Sequence, residues 1–230
     1  MHKLLNLVAI LAFAATGQAS YATVTFNLDT VINGSTPSGA APWMTATFLD
    51  NGANNVLLTF TNNMESGQFI TDLVFNTSLF NPSSNLSQSR SDIAPPVVNS
   101  FSATVDQSQT GGASLKAGLF NIWISFANNG PDNVFNHDNG PVIYNLSGPD
   151  LTENSFNVLS LDDPGPPPST GGWLMAAKVQ GIPADLSTTS GSIGVTAVPE
   201  PEIYAMMGIG LALIGFVARR KRELQDRAAT

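Results

Sequence analysis

The sequence predicts an all-β protein, a single antiparallel β-sandwich with jelly-roll-like connections, flanked by an N-terminal signal peptide and a C-terminal transmembrane helix. Three observations carry that prediction. Between residues 23 and 197, apolar and polar residues alternate in short runs, the period of strands with one buried face. Those runs are separated by clusters such as "DNGANN", "NNGPDN" and "HDNGP", which hold good turn dipeptides. No stretch there has a 3.6-residue apolar period, and no repeat of fixed period argues for a propeller or solenoid. An eight-stranded barrel is the alternative closure for the same pattern.

Residues 1–22, "MHKLLNLVAILAFAATGQASYA", read as a signal peptide. Lys3 supplies the positive n-region, Leu4 to Ala15 the apolar stretch, and Ser20 and Ala22 the small residues a signal peptidase reads. Cleavage is expected after Ala22, with cleavage after Ala19 as the alternative.

The strands follow in order. "TVTFNLDTV" places Val24, Phe26 and Leu28 on one face and Thr23, Thr25 and Asn27 on the other. "NVLLTFT" does the same with Val56, Leu58 and Phe60. Further strands are expected at "WMTATFL", "QFITDLVFN", "NSFSATV", "LFNIWISFA", "PVIYNLS", "SFNVLSL", "WLMAAKVQG" and "GSIGVTAV", all rich in β-branched or aromatic residues. In "LFNIWISFA", Phe120, Ile122, Ile124 and Phe126 are expected on the core face, leaving Trp123 with Asn121 and Ser125 on the other. Trp43 and Trp173, at strand starts, are expected to cap the core. "DDPGPPPSTGG", Asp162 to Gly172, lies between strand-like segments and reads as a long loop inside one domain.

The last segment, residues 198–225, joins three features. Pro199, Glu200 and Pro201 form an extended element that can continue neither helix nor sheet. Ile203 to Ala218 is an uncharged run that reaches about 24 Å as a helix, against a hydrocarbon core of about 30 Å. Tyr204 can sit at one interface and long cationic side chains can snorkel at the other, while Gly208, Gly210 and Gly215 offer a smooth packing face. Arg219, Arg220, Lys221 and Arg222 then hold the C-terminal side in the cytoplasm. A buried core helix has no use for such a stop.

Residues 198–222 resemble the PEP-CTERM sorting signal of Gram-negative bacteria, which orders a Pro-Glu-Pro tripeptide, one membrane helix and an Arg-rich end. The resemblance implies recognition of the tripeptide by an exosortase, an integral membrane protein thought to act as a cysteine protease, which removes the tail. It also implies a setting in which exopolysaccharide is made. Ile203 departs from the small or hydroxylated residues commoner at that place. The blocks "TATFLDNGANNVLLTFTNN", "FITDLVFNTS" and "MAAKVQGIP" are similar to those of one group of small secreted PEP-CTERM proteins, which supports the sandwich and assigns no activity.

Composition narrows the partners. From residue 23 to 198, thirteen acids face only Arg90, Lys116 and Lys178, a net charge of −10 against −8 for the whole chain. Such a surface repels phosphates, so nucleic acid and anionic lipid are not expected partners. The chain has no cysteine, which removes disulfides, thiolate metal sites, a cysteine nucleophile and a lipoprotein anchor.

Catalytic patterns are not found. His137, the one histidine left after the leader, lies among turn residues in "FNHDNGP". "SGSIG" at Ser190 to Gly194 lacks the glycine spacing of a nucleophile elbow. Asp162 and Asp163 are adjacent and would point to opposite faces. Zinc lacks ligands, so no metal or other cofactor is expected. Asp132, Asn136, Asp138 and Asn139 offer hard oxygens for calcium, but without EF-hand spacing, and the same residues are what turns require. Trp123 has two readings: a stacking platform for a sugar ring, or a ring packed beneath a crossing loop, the commoner role.

The expectation is an exported, non-enzymatic cell-surface or extracellular-matrix protein associated with exopolysaccharide. Its partners would be signal peptidase and an exosortase-like membrane protease. It would be held briefly at the inner membrane and then released or transferred to the surface. A carbohydrate-binding module and a secreted hydrolase with a carboxylate site are the alternatives.

Overall fold

The computed structural model describes residues 21–91, 96–110, 115–129, 132–184, 187–197 and 211. The expected signal peptide therefore lies outside the described residues apart from Tyr21 and Ala22, as does the segment 198–225, with its expected membrane helix, apart from Leu211. Among the described residues, no helix is long and apolar enough to cross a membrane.

The described chain is all-β, in two antiparallel sheets. The five-stranded sheet has the order β1 (Thr23–Leu28), β3 (Met44–Asp50), β4 (Asn55–Asn62), β10 (Val142–Ser147) and β6 (Ser87–Arg90). The other runs β2 (Thr30–Gly34), β12 (Ser187–Thr196), β11 (Trp173–Ala184), β5 (Phe69–Phe75), β8 (Ile122–Phe126) and β7 (Val98–Ala103). A two-residue strand, β9 (Phe135–Asn136), pairs with the start of β5 in line with β8. Within the described residues of the sandwich, helix is confined to a single turn, Pro82–Asn85, and a 3-10 turn, Glu153–Phe156.

Alternation explains the strands. In β1, Phe26 and Leu28 are buried while Thr23, Thr25 and Asn27 face solvent. Val56, Leu58 and Phe60 of β4 are buried in the same way. β1 and β2 form one corner strand that leaves the first sheet at Asp29 and enters the second. The β3–β4 hairpin closes through Asp50, whose Oδ1 accepts from the Gly52 N–H at 3.1 Å, with Gly52 and Asn54 at φ 94° and 64°. β11 bulges against β12 between Val179 and Ile182, next to Gly181. A Cβ on Gly181 would lie 2.1 Å from the Gly67 carbonyl oxygen, so only glycine fits there.

The sheets enclose one core whose centre is aromatic. Phe48 stacks on Phe156 at 4.3 Å between centroids and meets Phe26 and Phe75 edge-on at 5.3 and 5.8 Å. Phe60 continues the layer to Phe75 and Tyr144. A smaller second cluster lies on the outer face of the seven-stranded sheet.

Three expectations are corrected here. "SFNVLSL" is not a strand: Thr152 and Ser155 form a capping box that winds Glu153–Phe156 into a turn and drives Phe156 into the core. Phe120 does not share the face of Ile122 and Ile124, because β8 starts only at Ile122; it belongs to the second cluster. Trp173 also packs against that cluster, whereas Trp43 caps the main core with its Nε1 donating to the Gly39 carbonyl at 3.2 Å. The loop from Asp162 to Gly172 folds back on itself through the Asp163–Ser169 bridge.

Phe156 touches the rings that join the two sheets, so Phe156→Ala should destabilise the domain by about 3–5 kcal/mol. Denaturant unfolding checks this, and a loss below about 1 kcal/mol would mean that the turn does not carry the core.

Candidate functional site

Six strands place one transverse polar row on the outer face of the seven-stranded sheet. Asn33, Ser192, Lys178, Asp72, Ser125 and Ser100 are successive register partners from β2 to β7. The neighbouring row, Gly194, Ala176, Val74, Trp123 and Ser102, is mostly apolar. Leu115, Ala117 and Phe120 lie over that apolar row, and the Asn33 side-chain amide donates to the Leu115 carbonyl at 3.2 Å.

Trp123 is therefore half-buried beside a crossing segment, and its indole N–H donates to Asp72 Oδ1 at 2.9 Å. The part of the ring available for stacking is smaller than a solvent-facing platform would offer. Asp72 also faces Lys178, which is only 8% exposed. Burial pushes the Lys178 amine below its ordinary value, and the Asp72 charge pulls it partly back.

The candidate calcium loop sits at the opposite end of the sandwich from the start of β1 and the end of β12. Asn136 Oδ1 accepts from the N–H groups of Asp138 and Asn139 at 3.1 and 3.0 Å, and Asn139 Nδ2 donates to the Val134 carbonyl at 2.7 Å. Those side chains perform the turn role, and Asp132 is exposed. Among the described residues, no group of three or more His, Cys, Asp or Glu could hold a metal ion. His137 is exposed, with Nδ1 3.4 Å from the Asn62 carbonyl oxygen. Asp162 and Asp163 accept from the loop N–H groups of Gly171 and Gly165.

A buried amide network, which the sequence reading missed, joins the ends of β5 and β8. Asn76 Oδ1 accepts from the Asn121 N–H, and the Asn121 side chain accepts from and donates to the Thr77 backbone, all at 2.8–2.9 Å. Only the run of polar residues around each strand end signals it in the sequence.

The first strand of the sandwich begins and the last one finishes at the same end. The Ala22 carbonyl accepts from the Asp50 N–H at 2.9 Å as β1 begins, and β12 ends at Thr196. Thr23, Thr25, Asn157, Leu174, Thr196 and Ala197 line a shared cleft of about 250 Å³. Of the residues expected to be read in processing, Ala22 lies at this end, whereas Ser20, Pro199, Glu200 and Pro201 lie outside the described residues.

The folded protein releases the Lys178 proton more readily than the unfolded chain. Between that lowered value and 10.5 the unfolded state holds more protons, so stability rises with pH across the window. Lys178→Met should flatten this alkaline rise when melting curves of the two proteins are compared; equal slopes would contradict the placement of Lys178.

A family model for the PEP-CTERM protein-sorting motif matches residues 197–222, beginning at the last described residue of the domain. No curated protein and no solved structure matches the chain. The chain carries a C-terminal PEP-CTERM protein-sorting motif, as an exosortase substrate does.

Proposed function

We propose that this is an exported, non-enzymatic protein of the cell surface or extracellular matrix, delivered by an exosortase-like system and associated with exopolysaccharide. The observation that carries the reading is the sorting motif at residues 197–222, which starts where β12, paired with β11 as far as Thr196, ends. In this reading Pro199, Glu200 and Pro201 are the recognition element and Ile203 to Ala218 is a transient inner-membrane anchor. Arg219, Arg220, Lys221 and Arg222 keep the remaining residues in the cytoplasm. Signal peptidase removes the leader, and an exosortase-like membrane protease removes the tail.

The two sheets, between which the chain crosses repeatedly, act as a jelly-roll-like sandwich that stays folded outside the cell without disulfides. The turn roles of Asn136, Asn139, Asp162 and Asp163 support a structural rather than catalytic domain. The Trp123 indole bonded to Asp72 supports the same choice over a carbohydrate-binding module built on that ring.

Replacing Pro199, Glu200 and Pro201 together with alanine should leave the tailed protein in the membrane fraction. Fractionation followed by immunoblotting measures this; release into the medium at the wild-type level would reject the recognition role.

A further inference from the structure

The exposed large apolar side chains of the domain gather at one end. Among the described residues of the sandwich, Tyr21, Phe80, Val105, Leu159 and Leu161 are exposed, and each lies next to a strand terminus at the end where the tail departs. Tyr21 precedes β1, Phe80 follows β5, Val105 follows β7, and the Ser160 N–H between the two leucines donates to the carbonyl of Trp173, where β11 starts. Val97, before β7, is the one such residue at the far end. Phe80 is 80% exposed and borders a cleft of about 420 Å³ with Leu79, Pro149 and Asp150. Single exposed apolar residues are ordinary; their concentration on the connections of one end is the distribution of an interaction surface.

Chain length says what meets that surface. Pro199 is two residues beyond Ala197, so it stays within about 7 Å of the domain, and Ile203 stays within about 21 Å even when fully extended. An enzyme that holds the tripeptide in a groove must touch this end of the sandwich. Asp106, Asp150 and Asp162 on the same connections oppose approach to anionic headgroups, which favours a protein surface over a bilayer.

We propose that the tail-bearing end of the sandwich, centred on Phe80 and Leu161, is a docking face for the membrane enzyme that processes the tail. The enzyme then reads a folded surface together with the tripeptide. This rests on the sorting function proposed above.

The test uses the full chain in cells that process it, following conversion of the tailed precursor to the shortened form. Phe80→Asp combined with Leu161→Asp should slow conversion roughly tenfold, the scale of losing one or two anchoring side chains from an interface. Val97→Asp at the far end should leave the rate unchanged, and melting curves should show all three substitutions folded, since each replaces an exposed side chain. An unchanged rate in the double variant, or an equal loss in Val97→Asp, overturns the docking face while leaving the tripeptide's role intact. Conversion of the Pro199-Glu200-Pro201 alanine variant at the wild-type rate would instead remove the sorting function and the docking face with it. Flotation of the released protein with phosphatidylethanolamine–phosphatidylglycerol vesicles, lost in the double variant, would assign the surface to lipid and also overturn the proposal.

Discussion

The fold depends on the stacking of Phe48 against Phe156 between two sheets that no disulfide ties together. The chain has no cysteine, so the aromatic layer through Phe26, Phe48, Phe75 and Phe156 must hold the sandwich closed. Apolar burial is favourable without regard to redox conditions, which suits a domain that matures outside the cytoplasm. Phe156 reaches this layer from a capped turn, so the Thr152–Ser155 hydrogen bonding and the core support one another.

The same layering fixes where function lies. With the sheets held face to face, the first strand starts and the last strand ends beside one cleft, and the sorting motif begins there. The polar row through Lys178 and Asp72 runs across the middle of the outer face, and the turn of Asn136 and Asn139 occupies the far end. The Asn136 turn is a strand length from the end where β12 finishes, and the polar row about half of one. The proposed docking face accordingly lies at the end bearing Phe80 and Leu161, apart from the polar row.

Much of the fold was legible because burial in β1, β3, β4 and β8 follows a period of two residues. The sequence reading failed where a local hydrogen bond or a break in the strand changed the period. Thr152 and Ser155 turn an apparently alternating segment into a 3-10 turn, and Asn121, engaged with Asn76 and Thr77, shifts Phe120 to the other face. The short strands β6 and β9 carry too few apolar residues to signal themselves, and strand order across the sheets depends on pairings far apart in the chain. The sorting motif was legible because its three parts are contiguous. The Trp123–Asp72 bond and the gathering of exposed apolar residues were not, since both are made by residues that only the topology brings together.

The central claim is that an exported sandwich loses both of its terminal segments. The intact mass of the protein recovered from the culture medium tests it most directly. The account predicts a chain lacking the leader and lacking everything from the membrane segment at Ile203 onward. A secreted species that retains residues 203–230 would contradict it.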